Sequence, residues 1–149
     1  MKAVIQRVSS AAVTVDGDEV SRIGGGLMIL LGVQKGDTDE DRDYLIRKIP
    51  ALRIFPDEDG VMNLDILRTG GEILLISQFT LLAQTKKGNR PSYIEAEEPM
   101  LAEKRYEEVA DALEKILGKP VRRGIFGADM QVSLTNEGPT TILIDSRAK

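Results

Sequence analysis

The opening of the chain constrains the fold more than any other stretch. Residues 3–15, AVIQRVSSAAVTV, mix β-branched side chains with alternating polarity and run into Asp16-Gly17, a dipeptide that favours a tight hairpin turn. Val20–Ile23 is the expected returning strand. The chain therefore begins as a β-hairpin with an apolar face that later segments must cover. Gly24, Gly25 and Gly26 break the chain before LMILLGV (27–33), an apolar run too short for a membrane and suited to a strand buried on both faces. The triple glycine lacks the G-x-G-x-x-G spacing and precedes a strand rather than a helix, so it is expected to be a connector and not a phosphate cradle.

Two helices are expected among further strands. TDEDRDYLIRKI (38–49) starts at Thr38 as N-cap, carries acids in its first turn and Arg47 and Lys48 near its end, and pairs Leu45 with Ile49 before Pro50 stops it. Pro99–Leu117 places Ala102, Tyr106, Val109, Leu113 and Ile116 on one face, closed by Gly118 and Pro120. LRIF (52–55) is expected as a strand closed by the turn at 56–60. ILLISQFTLLA (73–83) is expected as a central strand, with Ser77 and Phe79 on one face and Gln78 and Thr80 on the other. Three short strands, VRRGIF, MQVSLT and TTILID, fill the tail, with Asn136-Glu137-Gly138-Pro139-Thr140 as a turn between the last two.

The sum is about eight strands and two main helices, an α+β chain with a curved, largely antiparallel β-sheet or open barrel and helices on one side. Strand and helix do not alternate regularly, which disfavours a dinucleotide fold. Residues 1–149 are expected to form a single domain, because no linker, repeat or low-complexity tract divides them and such a length buries roughly 68–70% of its unfolded surface. The start, MKAVIQRVSS, has no long apolar region or small-residue cleavage site, so a soluble, cytoplasmic protein with no membrane partner is expected.

Composition narrows the chemistry. The chain contains no histidine and no cysteine, which removes the Ser-His-Asp triad, the Cys-His pair, and zinc or haem sites that need those ligands. No metal and no cofactor is expected. Carboxylates, Lys and Tyr remain as bases, and Ser, Thr, Lys and carboxylates as nucleophiles. A formal charge of −4 argues against a protein that coats nucleic acid, and no DNA partner is expected. One local exception is AQTKKGNRPSYI (83–94), where Lys86, Lys87 and Arg90 stand without an acid, either as a solvated loop or as a phosphate contact.

Two further objects carry candidate chemistry. Ser77-Gln78-Phe79-Thr80 places hydroxyls and an amide in an apolar run, which suits either a buried hydrogen-bond network or a polar pocket at a strand end. Gly138-Pro139 allows close backbone approach, and its peptide bond can be cis. These motifs, together with MKAVIQRVSSAAVTVDG, GGGLMILLGVQKGD, KKGNRPS and FGADMQV, make the chain resemble D-aminoacyl-tRNA deacylases of the D-tyrosyl-tRNA(Tyr) deacylase type over nearly its whole length. Thr140 in place of the usual Val, Tyr93 in place of the frequent Phe, and unusually acidic residues at 94–98 depart from the family pattern without removing a motif residue.

The resemblance implies a homodimeric, barrel-like hydrolase that cleaves the ester between a D-amino acid and the 3′-terminal adenosine of tRNA and also removes glycine from mischarged tRNA. It implies that Gly138 and Pro139 form a cis pair entering the partner subunit's pocket to exclude L-side chains, that Arg7 holds that pair, that Ser77, Gln78, Phe79 and Thr80 form the pocket floor and catalytic element, and that Phe126 and Met130 bracket the terminal adenine. A rigid backbone wall rejects one enantiomer whatever its side chain, which leaves D-side chains unread and admits glycine. Thr80 as nucleophile lacks an adjacent base, so water assisted by the ribose 2′-hydroxyl is the favoured route, with the N–H groups of Phe79 and Thr80 facing the oxyanion. A non-catalytic dimer that binds aminoacyl-tRNA or an adenosine-type ligand, and an editing module for L-amino acids, are the alternatives.

Overall fold

A computed structural model describes residues 1–149. In chain order the elements are β1 (Lys2–Val15), β2 (Asp18–Ile23), β3 (Gly26–Gly32), α1 (Asp39–Lys48), β4 (Phe55–Pro56), β5 (Met62–Leu64), α2 (Ile66–Thr69), β6 (Glu72–Ser77), a 3-10 turn (Phe79–Leu82), α3 (Pro99–Leu117), β7 (Arg122–Arg123) and β8 (Gln131–Asp145). β1 is the organising strand. One of its edges pairs with β8 along almost its whole length, while the other pairs with β3 through residues 2–8 and with β2 through residues 11–15. The sheet continues from β3 to β6 and β7, and the Ser21 hydroxyl donates to the Arg123 carbonyl at 2.8 Å, drawing β2 towards β7 and nearly closing the curve.

The α+β architecture, the early hairpin and the largely antiparallel pairing about β1 match expectation, but the sheet is mixed, with a parallel portion that was not expected. β3 and β6 run parallel, as do β6 and β7. The reason lies in the connections: α1 lies within the first crossover and α3 within the second, and parallel strands need such long returns. A third helix, the single turn α2, was not anticipated; Asp65 caps it by accepting the Arg68 N–H at 3.0 Å, and Gly70 ends it in the left-handed conformation. Of the expected LRIF strand only Phe55 lies in a strand; with Pro56 it forms β4, which pairs with β5.

The apolar runs of β3 and β6 are buried on both faces. Leu27, Ile29 and Leu31, with Ile73 and Leu75, join Leu45, Ile49, Tyr106, Val109 and Leu113 in a core beneath α1 and α3. The alternate residues Met28, Leu74 and Ile76 join Val8, Ala11, Val13 and Ile23 inside the curved sheet. Each fully buried Leu or Ile contributes roughly 1.5–3 kcal/mol relative to exposure. β1 changes parity after Val8: Ala3 and Ile5 face the helices and Val8 faces inward by ordinary alternation, but Ala11 and Val13, which strict alternation would turn to the helices, also face inward. The switch coincides with the irregular pairing of β1 with β8 around Val8.

The tail departs most from expectation. In place of three short strands it holds the two-residue β7 and one continuous β8, so 136–140 is not a hairpin turn. Gln6 pairs with Thr141 and Val8 with Asn136, leaving residues 137–140 as an excursion opposite Arg7 alone. Both chain ends are fixed nearby: the Met1 ammonium lies 2.8 Å from the buried Asp37 carboxylate, and Arg147 reaches the other oxygen of Asp37. No helix is long and apolar enough to cross a membrane.

Candidate functional site

β6 ends at Ser77, where the Gln78 N–H donates to the Leu31 carbonyl at 2.8 Å and the chain doubles back into the 3-10 turn. The strand expected over residues 73–83 therefore stops at Ser77, and the two-face alternation expected for Gln78, Phe79 and Thr80 does not hold. Leu82 explains the fold-back. Its side chain is 1% exposed and packs so closely over Gly32 that a Cβ there would clash with it. Burying Leu82 requires the chain to leave the sheet. The first N–H that the turn satisfies internally is that of Leu81, to the Gln78 carbonyl at 3.2 Å, so the N–H groups of Phe79 and Thr80 precede the turn's own ladder. The Gln78 side-chain amide donates to the Thr80 hydroxyl oxygen.

Beside this turn lies a cleft of about 700 Å³. Ser77, Gln78 and Phe79 line one side, and Phe126 and Met130 line another. Thr80 is half-buried and does not line it. Phe79 is 57% exposed and meets Tyr93 edge-to-face at 5.2 Å, so two aromatic rings stand at the mouth with little packed over them. Phe126 tilts against Tyr106 at 6.2 Å, and Met130 sits directly over Gly124, where any side chain would displace its sulfur. Such an apolar cleft with exposed rings and a few polar groups suits a planar base together with a small polar moiety.

Tyr106 is a site residue that sequence reasoning placed only on an apolar helix face. Its hydroxyl donates to the Leu75 carbonyl at 2.6 Å, tying α3 to β6 beneath the cleft. Burial, reinforced by the nearby Glu107 carboxylate, pushes its pKa well above the ordinary phenol value, so it remains neutral and is no base. The one available signal was a hydroxyl on an otherwise apolar stripe, which must find a partner when buried. Lys35, Glu97, Glu98 and Asp129 also line the cleft and were not singled out. No group of three or more carboxylates is arranged to hold a metal ion.

Arg7, Gly138 and Pro139 form a second constellation, outside this cleft. Arg7 Nε donates to the Glu137 carbonyl at 3.1 Å, and the Asn136 side-chain amide donates to the Thr140 carbonyl at 2.9 Å and the Arg7 carbonyl at 3.1 Å, closing the base of the excursion. A Cβ on Gly138 would fall on the Asn136 side-chain oxygen and lie 3.2 Å from the Thr140 nitrogen, so a larger residue would displace the Asn136 side chain that closes the excursion. The Gly138-Pro139 peptide bond is cis, and both residues are exposed. Thr140 is 3% exposed and its hydroxyl has no hydrogen-bond partner. Lys86, Lys87 and Arg90 lie in an exposed loop closed by paired backbone hydrogen bonds between Gln84 and Ser92 of 2.8 and 3.0 Å.

The family model described as D-Tyr-tRNA(Tyr) deacylase matches residues 4–145. The chain belongs to this family. Among curated relatives it is 52% identical over 149 residues to the D-aminoacyl-tRNA deacylase of Parabacteroides distasonis and 56% identical over 149 residues to that of Bacteroides fragilis, covering 100% of this chain and 99% of each relative. Among solved structures, a protein described as "c-Myc DNA Unwinding Element Binding Protein" superposes with a TM-score of 0.91 at 40% identity, covering 97% of this chain and 98% of that one. A chain described as a "probable eukaryotic D-amino acid tRNA deacylase" superposes with a TM-score of 0.81 at 16% identity over 96% of this chain and 97% of its own length, which shows the shared fold. Both the cleft and the Gly138-Pro139 excursion fall within the span the family model covers.

Proposed function

We propose that the protein hydrolyses the ester joining a D-amino acid to the 3′-terminal adenosine of tRNA, releasing free tRNA and the amino acid, and that it clears glycine from mischarged tRNA in the same way. Its placement follows: a single cytoplasmic domain acting as a homodimer on aminoacylated tRNA. The observation that carries the reading is the separation of two parts in a chain of this family. The cleft with Phe79, Phe126 and Met130 lies in one place, and the exposed Gly138-Pro139 pair, held by Arg7, lies outside it. Placed outside its own cleft, the pair serves as a wall in another copy's cleft. There the backbone of Gly138 and Pro139 excludes an L-side chain while leaving a D-side chain, or none, free.

Phe126 and Met130 bracket the adenine, and Ser77, Gln78 and Phe79 form the floor on which the ester rests. Lys86, Lys87 and Arg90 reach the acceptor-stem phosphates. Thr80 is not the nucleophile in this scheme. Its hydroxyl oxygen already accepts the Gln78 amide, it does not line the cleft, and no imidazole exists to deprotonate it. Water attacks instead, assisted by the neighbouring ribose 2′-hydroxyl, while the N–H groups of Phe79 and Thr80 face the developing oxyanion. Following ester loss from D-Tyr-tRNA and L-Tyr-tRNA tests the reading. Hydrolysis of the D-ester alone supports it; hydrolysis of the L-ester points to an editing module, and hydrolysis of neither to a binding protein.

A further inference from the structure

Arg7 is a strut with two ends. Its Nε donates to the Glu137 carbonyl at 3.1 Å, and its Nη1 donates to the Ile54 carbonyl at 2.5 Å. The strut can hold the Gly138-Pro139 excursion only as firmly as its far support is held. That support lies outside every helix and strand, since Ile54 precedes β4. The hairpin that follows is weak in its own right: β4 and β5 share two residue pairs with an irregular register, and an isolated two-stranded hairpin is marginal in water.

Side chains supply what the ladder lacks. Arg53 Nε donates to the Asn63 carbonyl at 2.8 Å, and its guanidinium also donates to the Asn63 side-chain oxygen. The Asn63 side-chain amide donates to Asp57 Oδ2 at 3.0 Å, and Asp57 Oδ1 accepts the N–H groups of Asp59 at 2.9 Å and Val61 at 3.1 Å. Polar bonds therefore fix Arg53 on one side of Ile54, and Phe55 on the other side is buried and paired with Leu64. A continuous relay runs from the 57–61 turn through Asp57, Asn63 and Arg53 to the Ile54 carbonyl, then through Arg7 to Glu137, the residue before Gly138.

We propose that Asp57 and Asn63 are positioning residues for stereochemical selection, holding the Ile54 carbonyl that braces Arg7 against the Gly138-Pro139 excursion. This rests on the reading of Gly138-Pro139 as the wall that rejects L-side chains. A steric wall discriminates by its position, and supporting side chains set how closely such a position is kept. Loosening the relay lets the wall yield to an L-side chain, whereas a D-side chain, which points elsewhere, gains nothing. A merely structural role would lower hydrolysis of both esters in proportion to the protein left folded, and their ratio would stay constant.

The test compares kcat/KM for D-Tyr-tRNA and L-Tyr-tRNA in the unmodified protein, in Asn63→Asp and in the double variant Asp57→Asn/Asn63→Asp. Asn63→Asp sets two carboxylates face to face and removes the donor between them. The double variant restores one amide donor and leaves acceptors for Arg53, Asp59 and Val61. The expected result is an L-to-D ratio raised about ten- to a hundredfold in Asn63→Asp, the scale of effect that a small misplacement produces, and returned to the starting ratio in the double variant. If Asn63→Asp does not fold, Asp57→Asn takes its place with the same expected direction. An unchanged ratio in a folded variant, or a raised ratio that the double variant does not restore, overturns the inference while D-selectivity of the unmodified protein keeps the functional reading intact. An unmodified protein that does not prefer the D-ester overturns both.

Discussion

Replacing Arg7 by Ala is the most informative single change, because the structure lets its cost be worked out before it is measured. The side chain is 11% exposed and makes two charge-assisted hydrogen bonds, to the Glu137 and Ile54 carbonyls. A hydrogen bond to a charged group contributes about 1.5–3 kcal/mol net. The Glu137 carbonyl can return to water, since its residue is exposed, so that bond counts near the bottom of the range. The Ile54 carbonyl is less able to do so, because its residue is 7% exposed. The 3.9 Å approach of the Arg7 guanidinium to the 58%-exposed Glu137 carboxylate adds little. The expected loss is about 3–4 kcal/mol, which for a chain of this size lowers Tm by roughly 6–16 °C. Urea unfolding at equal protein concentration reads the first figure and a thermal scan the second. On the folded protein, L-Tyr-tRNA hydrolysis should rise while D-Tyr-tRNA hydrolysis persists. A variant as stable as the parent that still rejects the L-ester would refute the reasoning, since the strut would then neither bear load nor place the wall.

Other perturbations test separate parts of the account. Thr140→Val replaces a buried, unpartnered hydroxyl by a methyl of similar size, and urea unfolding should show a gain of about 1 kcal/mol; a loss would mean that the hydroxyl is satisfied in solution. Asp41 is opposed by burial, but the Thr38 N–H and the Ser146 and Thr38 hydroxyls bring its pKa down from 3.8 to about 2. Because the folded value lies below the unfolded one, its contribution is present above pH 4 and fades as pH falls towards 2. Allowing for partial solvent screening, Asp41→Asn should cost about 1 kcal/mol at pH 7, with the difference closing across that window in acid titrations of stability. Lys86→Glu with Lys87→Glu should weaken tRNA binding and make its dependence on log salt shallower by roughly 1–2; unchanged binding would leave the loop as a solvated turn.

How far the sequence could be read depended on how local each decision was. The β1–β2 hairpin and the two long helices were legible because Asp16-Gly17, Thr38, Pro50 and Gly118 act within a few residues of themselves. The parallel pairing of β3 with β6 was not, because it joins segments some forty residues apart through α1 and the β4–β5 hairpin. The run through Ser77–Thr80 looked like strand because apolar periodicity cannot register that Leu82 must turn back onto Gly32. At 136–140 the turn residues did mark a departure from regular strand. They could not say that the chain would return to the same neighbour, making an excursion from β8 instead of a hairpin. Tyr106 was legible as core but not as the hydrogen-bonding floor beneath the cleft, and the bond from Arg7 to Ile54 joins positions that no spacing rule connects.

The central claim is that one copy walls the cleft of another, and subunit mixing tests it most directly. Arg7→Ala supplies chains with an intact cleft and a loosened wall; Phe126→Ala/Met130→Ala supplies chains with an intact wall and no grip on adenine. Adding a large excess of the second to the first, under conditions that allow exchange, places most intact clefts opposite an intact wall. The account predicts that L-Tyr-tRNA hydrolysis by the mixture falls towards that of the unmodified protein while D-Tyr-tRNA hydrolysis is kept. L-Tyr-tRNA hydrolysis that is indifferent to the added chain, although exchange has occurred, would contradict it.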